Sequence, residues 1–344
     1  MKHILLVDVD SHIPNLALMK LSTYHKQLGD QVEFKRLGLT GYPKRKKPIA
    51  VATDGFDQVY ASMVFTLNRT LVQFEQHPEL TIGGTGWDIT SKLPQEIDNL
   101  PEDYSLYPEN NASYGFITRG CNRKCSFCFV HPKEGALHFY RHPKDIIKHK
   151  VTFFLDNNFL DHPDHISLLE WLVESRKAVQ FNQGLDFRLL TTHSIKLLTS
   201  LNYHEDYIFA FDHVSYLKAI TEKMDLFQAE LDKHWKTRMF ILVGYNSSLA
   251  DDLMRVHWCV KRKIFPYVMR HEKCYTSEHK NFYTDLAAWA NQANLIKNVR
   301  FEDFLSKRCA SGSIDPDRRD QHIMTYEKLR STATFNLSAG VEMA

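Results

Sequence analysis

Tyr114-Gly-Phe-Ile-Thr-Arg-Gly-Cys121-Asn-Arg-Lys-Cys125-Ser-Phe-Cys128-Phe-Val130 decides how this chain is read. A short apolar run, 114–118, reads as a buried strand and gives way to a loop with three cysteines in C-x3-C-x2-C spacing. That loop holds half of the chain's six cysteines within eight residues. Thiolates are soft ligands that suit iron. Three of them so close can hold three irons of a [4Fe–4S] cluster, leaving the fourth iron open to another ligand.

Downstream of the loop, strands are expected at 151–155, 179–183, 207–211, 238–243 and 265–269. Helical patterns fall between them, at 163–175, 193–201, 215–234 and 249–261. With 114–118 this makes six β/α units, a sheet that is expected to curve into a partly closed barrel. Ligands of such folds sit at the carboxyl ends of the strands, which is where the cysteine loop falls. Residues beyond about Tyr275 read as mostly helical (282–295, 301–307, 323–329) with a polar, poorly patterned tail.

Upstream, 3–9, 31–35, 57–63 and 80–82 read as strands, and 14–28 and 65–75 as helices. The expected organisation is α/β throughout. Residues 1–95 form a small parallel α/β domain and 96–112 a linker. A partial (β/α)6 barrel spans 113–275, and a helical region 276–344.

The 344 residues are 43% hydrophobic and 24% charged, with a formal net charge of +2. That charge is too mild to imply a large nucleic-acid footprint or an anionic membrane, although it leaves nucleic acid open. No run approaches the ~18 apolar residues of a membrane span, and the first residues do not read as a secretory signal. Crowded thiols without a disulfide framework fit a reducing compartment, so a cytoplasmic location is expected. Lys44-Arg-Lys-Lys47 reads as a solvated loop.

The cysteine spacing, with Phe127 in the aromatic slot before Cys128, resembles the signature of the radical S-adenosylmethionine (SAM) superfamily. The string from Tyr114 to Cys121 resembles the branch whose radical domain follows a cobalamin-binding-like domain. The resemblance implies that Cys121, Cys125 and Cys128 ligate a [4Fe–4S] cluster and that SAM chelates the fourth iron. It also implies an external electron donor of the flavodoxin or ferredoxin kind. The substrate is unspecified. The cobalt-ligating Asp-x-His-x-x-Gly string is absent, so the first domain is expected to be degenerate and cobalamin is not expected. Gly83-Gly-Thr-Gly86 could border a nucleotide-like ligand or simply form a turn.

The same resemblance suggests further contacts. Asp156, Asn157 and Asn158 would receive the SAM amino group, and Gln183 the ribose. Arg188 would clamp a carboxylate, and Gly244 would admit the adenine. Each has a plainer reading: a polar turn for the trio, an ion pair for Arg188 and a turn for Gly244. Asp212 and His213 could serve a substrate. Cys259, Cys274 and Cys309 are spaced irregularly and read as core thiols. His131 leaves a different metal reading open. Cys121, Cys125, Cys128 and His131 could form a Cys3His zinc site in a nucleic-acid- or protein-binding module.

Overall fold

The computed structural model describes residues 1–39 and 47–337, with side chains up to 331. Lys44–Lys46 of the basic run lie outside the described residues. The chain is mixed α/β with parallel sheets and divides into two compact units, Met1–Tyr114 and Gly115–Ala344.

Unit 1 contains β1 (His3–Asp8), α1 (Leu16–Gln27), β2 (Gln31–Arg36), β3 (Ile49–Val51), β4 (Gln58–Ser62), β5 (Val72–Phe74) and β6 (Leu80–Gly83). Four of these strands form a parallel sheet in the order β2-β1-β4-β6. The continuous apolar run Ile4–Val7 is buried on both faces, as a central parallel strand must be. Asn15 caps α1 by accepting the Leu18 N–H, and Gly29, at φ +80°, follows its end.

One expected helix of this unit, 65–75, is a correction. Thr66–Leu71 is a 3-10 segment, and Val72–Phe74 is a strand paired in parallel with β3. The buried Asp10 carboxylate accepts from Val64 N, Phe65 N and Asn68 Nδ2, which fixes a tight turn there instead of a helix. The proline-containing stretch before unit 2 carries α2 (Gln95–Asp98) and is tied to the rest of unit 1. Lys20 bonds Asp98 at 2.8 Å, Ser22 and Lys26 each reach Asp103 at 2.6 Å, and the buried Tyr107 donates to Asp8 at 2.8 Å.

β7 (Ala112–Gly115) leads into unit 2. There follow β8 (Thr118–Arg119), α3 (Val130–Glu134), β9 (His138–Phe139), α4 (Pro143–Ile146), β10 (Val151–Phe154), α5 (His165–Ser175), β11 (Ala178–Phe181), α6 (Thr192–Ser200) and β12 (Tyr207–Ala210). The series continues with α7 (Leu217–Ala229), β13 (Thr237–Val243), α8 (Leu249–Lys261), β14 (Phe265–Arg270), α9 (Lys280–Ala290), α10 (Ala293–Asn298), α11 (Phe301–Ala310) and α12 (Pro316–Leu337).

β10 and β11 pair in parallel, as do β12, β13 and β14. Isolated parallel bridges, Val179 with Tyr203 and Leu185 with Phe209, stand between the two groups. Leu155 N–H donates to the Gly115 carbonyl. Capping boxes at Thr191/Ser194 and Ser248/Asp251 start α6 and α8. Pro266 is tolerated because β14 is an edge strand.

The core of unit 2 is aromatic. Phe154 and Phe159 pack on Phe181 with ring centroids 5.4 and 4.6 Å apart, and Phe187 and Phe227 pack on Phe209 at 4.4 and 5.1 Å, all six buried.

Two further expectations are corrected here. The first strand of the series ends at Gly115, and Thr118–Arg119 pairs instead with β9, antiparallel. The helix expected over 282–295 breaks after Ala290, because the Asn291 side chain bonds both Val268 N and Val268 O on the open edge of β14. The helix expected over 323–329 is present within the longer α12, where Tyr326 bonds His257 at 2.8 Å.

Candidate functional site

The cysteine loop is held from three sides. At its start, Asp156, just past β10, accepts from Ile117 N, Thr118 N and Thr118 Oγ1 at 2.6–3.1 Å. Gly120, at φ +79°, must be glycine, since a Cβ would overlap the Ala136 carbonyl. Cys121 N–H donates to Gly135 O, and His131 Nδ1 donates to Cys121 O at 2.8 Å. Cys128 N–H donates to Cys125 O, and Val130 N–H points at Cys128 Sγ. The three thiols are free and half-buried.

Burial pushes the Cys121 and Cys128 thiols up, and the other cysteines of the loop add to that shift. The Arg123 backbone N–H and the Asn158 amide oppose it at Cys121, and the Val130 backbone N–H and the Arg123 guanidinium oppose it at Cys128. Asn158 is 3% exposed, and its amide nitrogen has no hydrogen-bond partner. A neutral thiol is a weak acceptor, so this donor stays unsatisfied until sulfur carries charge.

Among the described residues, no three His, Cys, Asp or Glu side chains converge closely enough to share one metal ion. Zinc would need its four donors within ~2.0–2.3 Å of one point. A cube of iron and sulfide offers each thiolate its own iron, so its ligands need no such convergence.

The loop opens on a cavity of about 400 Å³. Arg123, Lys124, Cys125, Ser126 and Phe127 line one side. Asp212, His213 and Tyr216, beyond β12, and Tyr245 and Asn246, beyond β13, line the other. Phe127 meets the Tyr245 ring edge-on at 5.5 Å, and Tyr245 Oη donates to Ser126 Oγ at 2.7 Å. Burial pushes the Asp212 carboxyl up to about 6, with Arg255 and Arg123 opposing. Arg123 bonds Asp186 at 2.9 Å and Tyr216 Oη at 3.2 Å.

The remaining residues singled out from sequence divide between cavity, core and surface. Asp156 is buried with both oxygens committed to the loop, and burial pushes it up to about 6. Asn157 is half-buried, and Gln183 lies exposed beyond β11. Arg188 directs its fork at Asp186, at 2.8 and 2.5 Å, so the ion-pair reading describes it.

Gly244, at φ +72°, faces inward, where a Cβ would collide with Cys274 Sγ. Cys274 donates to Val243 O, and its thiol is pushed up to about 11 by burial. Cys259 is wholly buried, and Cys309 is half-buried beside Arg319. In unit 1, Gly84 and Gly86 are explained by close approach to the Met63–Phe65 backbone.

Sequence reasoning missed the frame behind the cavity. Asp252 and Arg255, both fully buried on α8, pair with each other. Arg255 donates to Phe211 O and Leu242 O, the ends of β12 and β13. Asp252 accepts from Gly244 N, Ser247 Oγ and Tyr283 Oη. The signal was present as two charges on the apolar side of an amphipathic helix.

No protein-family model matches the chain, and no characterised protein is significantly similar to it in sequence. No helix among the described residues is long and apolar enough to cross a membrane.

Proposed function

We propose that this chain is a radical SAM enzyme whose Cys121, Cys125 and Cys128 hold a [4Fe–4S] cluster at the rim of a partial (β/α)6 barrel. The observation that carries this reading is the three-thiol loop opening on a cavity, with the unsatisfied Asn158 donor behind it. Unit 1 is then a cobalamin-binding-like domain that works without cobalamin. The electron comes from a flavodoxin- or ferredoxin-like protein, and the enzyme acts in the cytoplasm.

Held by Cys121, Cys125 and Cys128, such a cluster would supply the single electron needed for reductive cleavage of SAM. The chain's own groups do the rest. Asn158 donates to the charged sulfur of Cys121, and Arg123, fixed by Asp186 and Tyr216, keeps a positive charge beside the loop. Asp212 offers the SAM ammonium a carboxylate facing the cavity, the role that Asp156 is too committed to fill. Phe127 and Tyr245 shield the loop from water.

Anaerobic incubation with iron and sulfide should load about four irons per chain, lost in Cys125→Ala. Reductant and SAM should then yield 5′-deoxyadenosine. Stoichiometric zinc with no uptake of iron would replace this reading with the Cys3His module.

A further inference from the structure

Between Arg119 and Lys150 the chain has eight lysines and arginines and only two acids, a local charge of +6 against +2 for the whole chain. All other residues together are therefore net acidic, and the mild total hides a sharp asymmetry. This connection runs from the cysteine loop through α3, the β8–β9 ribbon and α4 to the start of β10. Lys124, Lys144, Lys148 and Lys150 are exposed along it.

The same stretch of chain exposes two rings, one of which, Phe139, has the His162 ring 6.0 Å away. Phe129 and Phe139 are 52% and 46% exposed, the two exposed phenylalanines among the described side chains. At the cavity end, cations sit over flat rings: Arg188 lies 4.2 Å from the Tyr216 centroid and Lys273 4.9 Å from that of Tyr245. Spaced cations for phosphates with isolated rings for bases are how proteins hold unpaired strands. Lysine is depleted from the cores of protein–protein interfaces, so an acidic protein fits this surface less well.

We propose that the 119–150 connection binds single-stranded nucleic acid and leads one nucleotide into the cavity as substrate. As a substrate assignment this rests on the function proposed above; as a binding surface it stands without it.

The test is fluorescence anisotropy with labelled RNA and DNA strands of about a dozen nucleotides, at stepped salt, on the chain with and without its cluster. Single strands should bind, with log K falling by about 0.7 per engaged phosphate for each log unit of salt. The triple variant Lys144→Gln, Lys148→Gln, Lys150→Gln should lower that slope by about 2, with substrate-free SAM cleavage unchanged. The double variant Phe129→Ala, Phe139→Ala should weaken binding about tenfold or more at an unchanged slope.

Preference for RNA over DNA would assign a reading of the 2′-hydroxyl, and equal binding a reading of phosphate and base alone; either supports the surface. Duplex binding as tight as that of single strands would overturn it. So would equal competition by polyglutamate of matched charge, or a triple variant that binds like the parent. Strand binding by a chain that takes up no iron would keep the surface and remove only the radical reading.

Discussion

The carboxyl ends of the parallel strands behave differently in the two units. In unit 1 the carboxylates there are satisfied by neighbouring donors, although the buried Asn68 Oδ1 has no partner. Asp10 takes three donors from the Val64–Asn68 turn, and Asp8 takes Ser11 N and Tyr107 Oη. The glycine loop closes on the Met63–Phe65 backbone. In unit 2 the equivalent edge is left open. Three thiols are unbonded to one another, a buried amide donor is unsatisfied, and Asp212 faces a cavity. An open polar edge costs stability, so where it persists it marks where a ligand belongs.

The sharpest test of this contrast sets Asp10 against Asn158. Asp10→Ala strands three buried or half-buried donors and should cost about 3 kcal/mol or more in chemical denaturation. Iron uptake by the folded fraction should not change. Asn158→Leu removes an unsatisfied amide at similar volume, so without the cluster the chain should be as stable as the parent, or about 1 kcal/mol more so. Its reconstituted cluster should be lost faster to a chelator. Equal destabilisation by both changes would erase the distinction between a closed and an open edge.

The glycines sharpen it further. A Cβ on Gly84 would strike the Met63 carbonyl, which is backbone and cannot swing away, and φ is +95°. A Cβ on Gly244 would strike the Cys274 thiol, a side chain that can rotate once its bond to Val243 O is given up. Gly84→Ala should therefore cost about 3 kcal/mol or more, and Gly244→Ala about 2 kcal/mol. Adding Cys274→Ala to Gly244→Ala should recover part of the loss by removing the collision, leaving the strain of φ +72°. A pair with no recovery would show that backbone strain alone makes Gly244 necessary.

Much of this was legible in sequence where the signal is local. Three cysteines in one loop and apolar runs of strand length both act over a few residues. The misreadings come from partners far along the chain. Residues 65–75 look helical until Asp10, more than fifty positions earlier, grips their start. Asp156 looks like a ligand-facing acid until Ile117 and Thr118, nearly forty positions away, take both its oxygens. Gly244 looks like room for a base until Cys274 fills the space. The charge asymmetry of 119–150 was local and fully legible, and it vanished only because the net charge averages over the whole chain.

The same contrast predicts opposite pH responses for one carboxyl of each unit. Asp103 in unit 1 is held down at about 2: burial raises it, but bonds from Lys26, Ser105 and Ser22 outweigh that. Asp156 in unit 2 is pushed up to about 6 by burial, despite the donors on it. For Asp103 the folded chain binds the proton less readily than the unfolded one. Its stabilisation is complete above about pH 4 and is lost as the pH falls towards 2. For Asp156 the folded chain binds the proton more readily, so its contribution grows as the pH falls from about 6 to about 4 and disappears as the pH rises past 6. Carbon-13 shifts of labelled aspartates should place the two midpoints near 2 and near 6. Asp156→Asn should remove part of the stability gained between pH 6 and pH 4, the rest coming from Asp186 and Asp212, which burial also pushes up to about 6, and should leave the loss below pH 4 untouched. A midpoint for Asp156 below 4 would mean that the donors of Ile117 and Thr118 outweigh its burial, and that this residue belongs with the self-satisfied acids of unit 1.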